Sequence, residues 1–131
     1  MKALSPVAGN ICLGVSGENH LDALYGQQFQ RLDLNSGTAC LAAAIATAKD
    51  KHGSNNPRVI VPGYCCPDLL SAAIFAGTTP VAIDTQYNSP FYDEEKLGKA
   101  LDDDVVAIIA VNFLGMHQPL DGLNRLRSPG T

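Results

Sequence analysis

The chain has 131 residues, of which 46% are hydrophobic and 17% are charged, and its formal net charge at neutral pH is −4. This composition is typical of one globular domain and excludes a disordered segment. An acidic chain without a basic face is a poor partner for nucleic acid or for an anionic membrane. No apolar stretch approaches the roughly 20 residues that span a bilayer, and the N-terminal residues make a poor signal peptide, so we expect a cytoplasmic protein.

The first predicted unit is a short strand, a tight turn and a helix. Apolar residues alternate over 32–34, as in a strand, and the polar turn that follows leads into an alanine-rich helix expected to end near Gly53. Ser36 or Thr38 can cap this helix, and Gly37 allows the backbone to approach a ligand closely. Because the first N–H groups of a helix are unpaired and lie at the positive end of its dipole, the turn can bind a phosphate. Plain capping without a ligand is the more common role of such residues.

After this helix, apolar β-branched runs alternate with amphipathic segments. Strands separated by helices predict right-handed crossovers and a mainly parallel sheet, with helices on both faces in a three-layer α/β fold. The last strand is apolar at every position, as expected when both of its faces are covered. The predicted strands are 58–61, 79–84 and 105–111, and the predicted helices are 67–76, 93–101 and one that begins at Leu120.

Polar and reactive residues follow the ends of the predicted strands. In a parallel sheet the loops at the carboxyl ends of the strands form the ligand side. The Ser36 turn, the loop 62–66, Asp84 and the loop 112–117 all belong to this edge. Neither the glycine-rich dinucleotide motif nor the phosphate-binding loop of nucleotide hydrolases is present. Spacing alone therefore predicts an α/β domain with an anion site at this edge, and leaves the ligand open.

The cysteines do not indicate a metal site. Cys12, Cys40, Cys65 and Cys66 show no zinc-ligand spacing, and the two adjacent ones cannot form an ordinary disulfide with each other. We interpret all of them as small buried thiols.

Five segments, taken in order, resemble the N-terminal part of the DegT/DnrJ/StrS family of pyridoxal-phosphate-dependent aminotransferases. The resemblance runs from about Leu32 to Leu126 and is most specific in the second segment. It implies that 1–131 is a single, truncated N-terminal portion of the large domain of a fold type I enzyme, with pyridoxal 5'-phosphate as cofactor. Family members mostly aminate keto-sugars attached to nucleotides and form homodimers. The segments are NSGTACLAAAIATA, RVIVPGYCCPDLLSAAIFAGTTPVAIDT, DEEKLGKAL, DVVAIIAVNFLG and PLDGLNRL.

The resemblance also implies which residues bind the cofactor. Gly37 and Thr38, with Ser36 before them, lie where the family holds the cofactor phosphate, which agrees with the argument from the helix terminus. The loop that lies against the pyridine ring in the family corresponds to Tyr64, Cys65 and Cys66.

Two positions depart from the family pattern. The third loop position is commonly aromatic in the family, but here it is Cys66, so stacking on the ring would require Tyr64 as a substitute. Asn112 stands where many members have histidine and is included among the cofactor-binding candidates. Asp84 matches a strand-end aspartate that we interpret as structural, holding the loop that follows it.

Transamination needs a lysine that forms a Schiff base with the cofactor and an acid that keeps the pyridine nitrogen protonated. In the family both lie downstream of the matched region, and none of the five lysines here is a credible substitute. We therefore expect no catalytic residue in this chain, no activity of the chain alone, and an uncovered sheet edge and apolar helix face. Two alternatives stay open, which are a non-catalytic module that binds a phosphorylated small molecule and an unrelated flavodoxin-like or Rossmann-like domain.

Overall fold

A computed structural model of the chain describes residues 32–119 and Asp121, and in this part three strands alternate with three helices. The strands lie side by side in the order β2-β1-β3, and both neighbouring pairs are parallel. The predicted parallel α/β arrangement is confirmed. The helices are α1 (Gly37–His52), α2 (Pro67–Phe75) and α3 (Glu94–Ala100), and the strands are β1 (Arg58–Pro62), β2 (Thr79–Ile83) and β3 (Val105–Ile108).

The helices begin and end where local chemistry requires. The Ser36 hydroxyl caps α1 by accepting a hydrogen bond from the Ala39 amide at 3.1 Å, and α1 ends at Gly53, whose φ of 74° favours glycine. Pro67 begins α2, where its missing N–H costs nothing. The Asp93 carboxylate caps α3. The predicted boundaries of all three helices agree with these observed ends to within two residues.

Alternate side chains of β1 fill two cores on opposite faces of the sheet. Val59 and Val61 point to the face covered by α1 and α2, whereas Ile60 points to the face covered by α3. Helices therefore cover both faces, as the three-layer prediction requires. On the first face the buried partners are Ala42, Ile45, Ala72, Ala73, Ala76 and Ile109, and on the second they are Ile83, Tyr92 and Leu97.

The structure corrects two predicted strands. Residues 32–34 are not a strand, because no described strand pairs with them, and Leu32 and Leu34 are both exposed. β3 ends at Ile108, three residues before the predicted end at Val111, and its residues are only half-buried because it is an edge strand of the described sheet. The predicted helix from Leu120 lies outside the described residues, apart from Asp121, which is helical.

The cysteine prediction was also partly wrong. Cys40 and Cys66 are exposed and Cys65 is half-buried, since all three stand at helix starts or in a loop at the edge of the sheet. Cys12 lies outside the described residues. Among the helices that the structure describes, none is long and apolar enough to cross a membrane.

Candidate functional site

The loops after β1 and β2 meet at the carboxyl edge of the sheet. The Gly63 amide donates a 2.7 Å hydrogen bond to the carbonyl oxygen of Ile83, the last residue of β2. A Cβ atom on Gly63 would lie 3.2 Å from that oxygen and 3.5 Å from the Cα of Asp84. Only a residue without a side chain fits here without displacing backbone, so Gly63 sets how closely the loop 63–66 follows the end of β2.

The N-terminus of α1 faces the same edge. At the other end of this helix, the Lys49 ammonium donates a 2.7 Å hydrogen bond to the carbonyl oxygen of Ala76. Ala76 follows α2, which starts beyond the carboxyl end of β1 and returns to the amino ends of the strands. Because Lys49 is therefore at the amino edge, Gly37 is directed toward the carboxyl edge, with the loop 63–66. In agreement with this direction, Leu41 near the start of α1 and Val111 beyond the end of β3 pack against the same hydrophobic core.

The first turn of α1 has unengaged amide groups in open space. Ser36 uses its hydroxyl for the Ala39 amide and its carbonyl oxygen for the Cys40 amide. Within 32–119, no acceptor meets the amides of Gly37 or Thr38. A Cβ atom on Gly37 would meet nothing within 4 Å. The turn thus combines two free N–H donors, the hydroxyl of Thr38 and room for an anion, which fits a phosphate group. We call Ser36, Gly37 and Thr38 the phosphate seat.

An aromatic pair joins the loops after β1 and β3. The rings of Tyr64 and Phe113 meet edge to face, with centroids 5.5 Å apart and an interplanar angle of 66°. Phe113 begins a tight turn that closes through a 2.9 Å hydrogen bond from the Met116 amide to the Phe113 oxygen, with positive φ at Leu114 and Gly115. Tyr64 remains 66% exposed, so its ring is available to a ligand at this edge.

A hydrogen-bond chain anchors the loop after β3. The Asn112 side-chain oxygen accepts from the Gln118 amide at 3.3 Å, and the Gln118 side-chain oxygen accepts from the Tyr92 amide at 3.3 Å. The buried hydroxyl of Tyr92 donates to the Ile109 carbonyl at 2.7 Å. Sequence reasoning identified Asn112 but missed Gln118, Tyr92 and the ring partner Phe113, because contacts between separate loops leave no periodic signal.

Residues 18–128 match the model of the DegT/DnrJ/EryC1/StrS aminotransferase family. The chain belongs to this family. The family resemblance in the sequence is thereby confirmed, and the unrelated flavodoxin-like or Rossmann-like alternative is set aside. Comparison with curated protein sequences gave no significant match.

Several solved structures share the fold. The pyridoxal-phosphate form of Spr1654 of Streptococcus pneumoniae, assigned as a sugar aminotransferase, is 28% identical with a TM-score of 0.64, over 71% of this chain and 23% of that one. DesV of S. venezuelae is 25% identical with a TM-score of 0.55, over 66% of this chain and 24% of that one. A sphingosine-1-phosphate lyase of Burkholderia pseudomallei, at 23% identity and a TM-score of 0.58 over 70% of this chain and 22% of that one, shares the fold alone.

These matches are consistent with a partial type I fold for this family member. The chain spans less than a quarter of Spr1654. The same protein matches in its pyridoxamine-phosphate form, with 28% identity and a TM-score of 0.63 over 71% of this chain and 23% of that one.

The Cys65 thiol, in the loop 63–66, stays protonated near neutral pH. Burial raises the pKa of Cys65, and the neighbouring Cys66 raises it further. Burial also raises the pKa of Tyr92, with a smaller contribution from Cys65. Cys65 and Tyr92 therefore add no negative charge to the edge that faces the phosphate seat. Cys66 is exposed at the N-cap of α2, and its side chain makes no capping hydrogen bond.

Three of the four described lysines bind other groups of the protein. Lys49 binds Ala76 at the amino edge, Lys96 binds Asp84 at 2.6 Å, and Lys99 binds Glu95 at 2.6 Å. Lys51 is exposed in the last turn of α1. Asp84, interpreted from sequence as structural, also accepts the Asp93 amide through its backbone oxygen and so holds the segment that leads to α3. Among the lysines of residues 32–119, Lys49, Lys96 and Lys99 thus have other partners, and Lys51 lies at the opposite end of α1 from Gly37.

Proposed function

We propose that this family member is the cofactor-phosphate-binding part of a pyridoxal-phosphate-dependent aminotransferase that aminates keto-sugars attached to nucleotides. The observation that carries the proposal is the first turn of α1, where two unengaged amides and open space at Gly37 fit a phosphate. Family membership supports the amino-group transfer, and the likeness to the sugar aminotransferase Spr1654 supports the sugar substrate. We also propose a cytoplasmic homodimer with small molecules as substrates, as the family resemblance implies.

Each group of candidate residues has a proposed task. Ser36, Gly37 and Thr38 hold the phosphate through backbone N–H groups and hydroxyls, with the dipole of α1 adding about 0.3–2 kcal/mol. When bound, pyridoxal phosphate supplies an electron sink for the carbon that loses or gains the amino group. The exposed ring of Tyr64 packs against the pyridine, because Cys66 offers no aromatic surface there. The protonated Cys65 and the neutral Asn112 complete the edge without repelling the phosphate.

A non-catalytic cofactor-binding module is the second candidate. The positions of Lys49, Lys96 and Lys99 favour it, since their ammonium groups are all engaged elsewhere. On this reading the chain binds the cofactor through its phosphate and does not transfer an amino group by itself. The same seat serves both candidates, and they differ in whether a lysine from another part of the protein completes the site.

The test uses pyridoxine 5'-phosphate, which has no aldehyde and so cannot react with surface lysines. Its affinity for the chain is compared with that of pyridoxine, and amide NMR shifts locate the site. Gly37→Ala fills the open space at the seat, and Thr38→Val removes the hydroxyl. Thr47→Val is the matched control, because the Thr47 hydroxyl bonds only within the same helix, to the Ala43 oxygen at 2.9 Å.

We expect binding of the phosphorylated compound only, with shifts at Gly37 and Thr38, and weaker binding in both seat variants but not in Thr47→Val. Equal binding of pyridoxine, or shifts confined to other residues, would refute the phosphate seat. Transamination by the chain alone, measured with pyridoxal phosphate and an amino donor, would refute the second candidate. Transamination that appears only with the remaining part of a family enzyme would support the first.

A further inference from the structure

Asn112 uses its side-chain oxygen within its own loop. The oxygen accepts a hydrogen bond from the Gln118 amide at 3.3 Å, which closes the loop 112–118 at its base. The Gln118 side chain then binds the Tyr92 amide, and Tyr92 is 1% exposed and fixed to the Ile109 oxygen. The loop is therefore tied to the buried core through a continuous series of hydrogen bonds that begins at Asn112.

Inside this closed loop, the tight turn from Phe113 to Met116 sets the position of one ring. Phe113 is half-buried, and its edge-to-face contact is with Tyr64 of the loop after β1. Leu114 takes a positive φ of 50°, which costs a non-glycine residue free energy that the surrounding structure must supply. The hydrogen bond from the Gln118 amide to the Asn112 side chain joins the two ends of the loop that contains this turn.

We propose that Asn112 is a positioning residue, which fixes Phe113 and through it the ring of Tyr64, and that it does not itself touch the cofactor. The inference rests on the proposed function, because Tyr64 is the group that meets the pyridine there. It revises the role of Asn112 from a cofactor contact to a support for one. The hydrogen-bond acceptor, and not the amide NH₂ group, is the part of this side chain that matters.

Two substitutions separate these roles. Asn112→Asp keeps an oxygen that accepts from Gln118 and removes the NH₂ donor, whereas Asn112→Ala removes both. The first measurement needs no ligand and records hydrogen exchange of the Gln118 and Met116 amides together with NMR contacts between the Tyr64 and Phe113 rings. The second is the affinity for pyridoxine 5'-phosphate at about 0.5 M salt, which screens the charge that aspartate adds.

In Asn112→Ala we expect hydrogen exchange of the Gln118 amide to become about 2- to 12-fold faster, which corresponds to the loss of one neutral hydrogen bond. We also expect the NMR contacts between the two rings to be lost and the ligand to bind more weakly. In Asn112→Asp all three should stay near the parent values. Weaker binding in Asn112→Asp with intact ring contacts would show direct contact with the ligand and overturn the proposal. Unchanged ring contacts in Asn112→Ala would overturn it as well.

The outcome for the proposed function is read separately. If the parent chain fails to bind pyridoxine 5'-phosphate, the phosphate seat is refuted, whatever the variants show. The ring contacts and amide exchange still decide whether Asn112 positions Phe113 and Tyr64.

Discussion

The buried hydroxyl of Tyr92 donates a 2.7 Å hydrogen bond to the carbonyl oxygen of Ile109, just beyond the end of β3. The same hydroxyl lies 3.5 Å from the carbonyl oxygen of Ile60 in β1. One side chain that precedes α3 therefore links the segment just beyond β3 to the neighbouring strand β1. Because burial raises the pKa of this phenol, it remains a hydrogen-bond donor throughout the ordinary pH range.

Replacing this hydroxyl should destabilise the fold measurably. Tyr92→Phe leaves the Ile109 oxygen without its donor, and an unsatisfied buried acceptor costs about 1–3 kcal/mol. We expect the free energy of unfolding in urea to fall by that amount. Tyr87→Phe is the control, since Tyr87 is 94% exposed and its loss should change little. Equal stability of the two variants would show that the Tyr92 hydroxyl contributes nothing net.

The contact between Lys49 and Ala76 gives a second test. Lys49→Met keeps most of the aliphatic length but removes the 2.7 Å hydrogen bond to the Ala76 oxygen, so we expect a loss of about 1 kcal/mol in unfolding free energy. Lys51→Met, in the same last turn, removes an exposed charge and should change stability by less than about 0.5 kcal/mol. If both variants lost the same unfolding free energy, the loss would come from the interaction of the lysine charge with the helix dipole and not from the hydrogen bond.

The elements of this fold were predictable because each carries its own local signal. Ser36 and Gly53 bound α1 and Pro67 starts α2, so those boundaries follow from capping chemistry alone. The alternation of strands and helices then requires parallel crossovers. The errors came where tertiary context decides. Residues 32–34 alternate correctly but have no described strand beside them.

The candidate site was predictable only in part. The turn at Gly37 carries a helix-terminus signal as well as a family motif, and each of them predicts a phosphate site there. The anchoring of Asn112 by Gln118, and the pairing of Phe113 with Tyr64, depend on distances between loops that no spacing in one sequence encodes. The position of Asn112 at the carboxyl edge of the sheet was therefore predictable, but its hydrogen bond with Gln118 was not.

Two glycines at this edge should respond oppositely to alanine. In Gly63→Ala the new Cβ atom would lie 3.2 Å from the Ile83 backbone oxygen, so we expect a loss of about 1–3 kcal/mol from overpacking. In Gly37→Ala it meets nothing within 4 Å, and stability should rise by about 0.4–1 kcal/mol through the unfolded state. Thermal and urea unfolding of both variants check this. A destabilised Gly37→Ala would show that the space at the start of α1 is not open.

The pair formed by Asp84 and Lys96 should leave a pH signature. The hydrogen bond from Lys96, and then its positive charge, lower the pKa of Asp84 below its ordinary value of 3.8, and Asp84 in turn raises the pKa of Lys96 above 10.5. A lowered acid pKa stabilises the fold above the unfolded value, and this contribution is lost as the pH falls through the folded pKa. The raised lysine pKa stabilises it below 10.5, and this contribution is lost as the pH rises through the folded pKa.

NMR titration of the Asp84 carboxyl carbon tests this directly. In Lys96→Met we expect the pKa of Asp84 to return to about its ordinary value of 3.8. Lys99→Met is the matched control, because Lys99 pairs with Glu95 at 2.6 Å on the same helix and should leave Asp84 unchanged. Both partners of the Asp84 pair are exposed, so salt should also reduce the shift in the parent chain. An Asp84 pKa that is the same in the parent and in Lys96→Met would mean that the ion pair does not persist in solution.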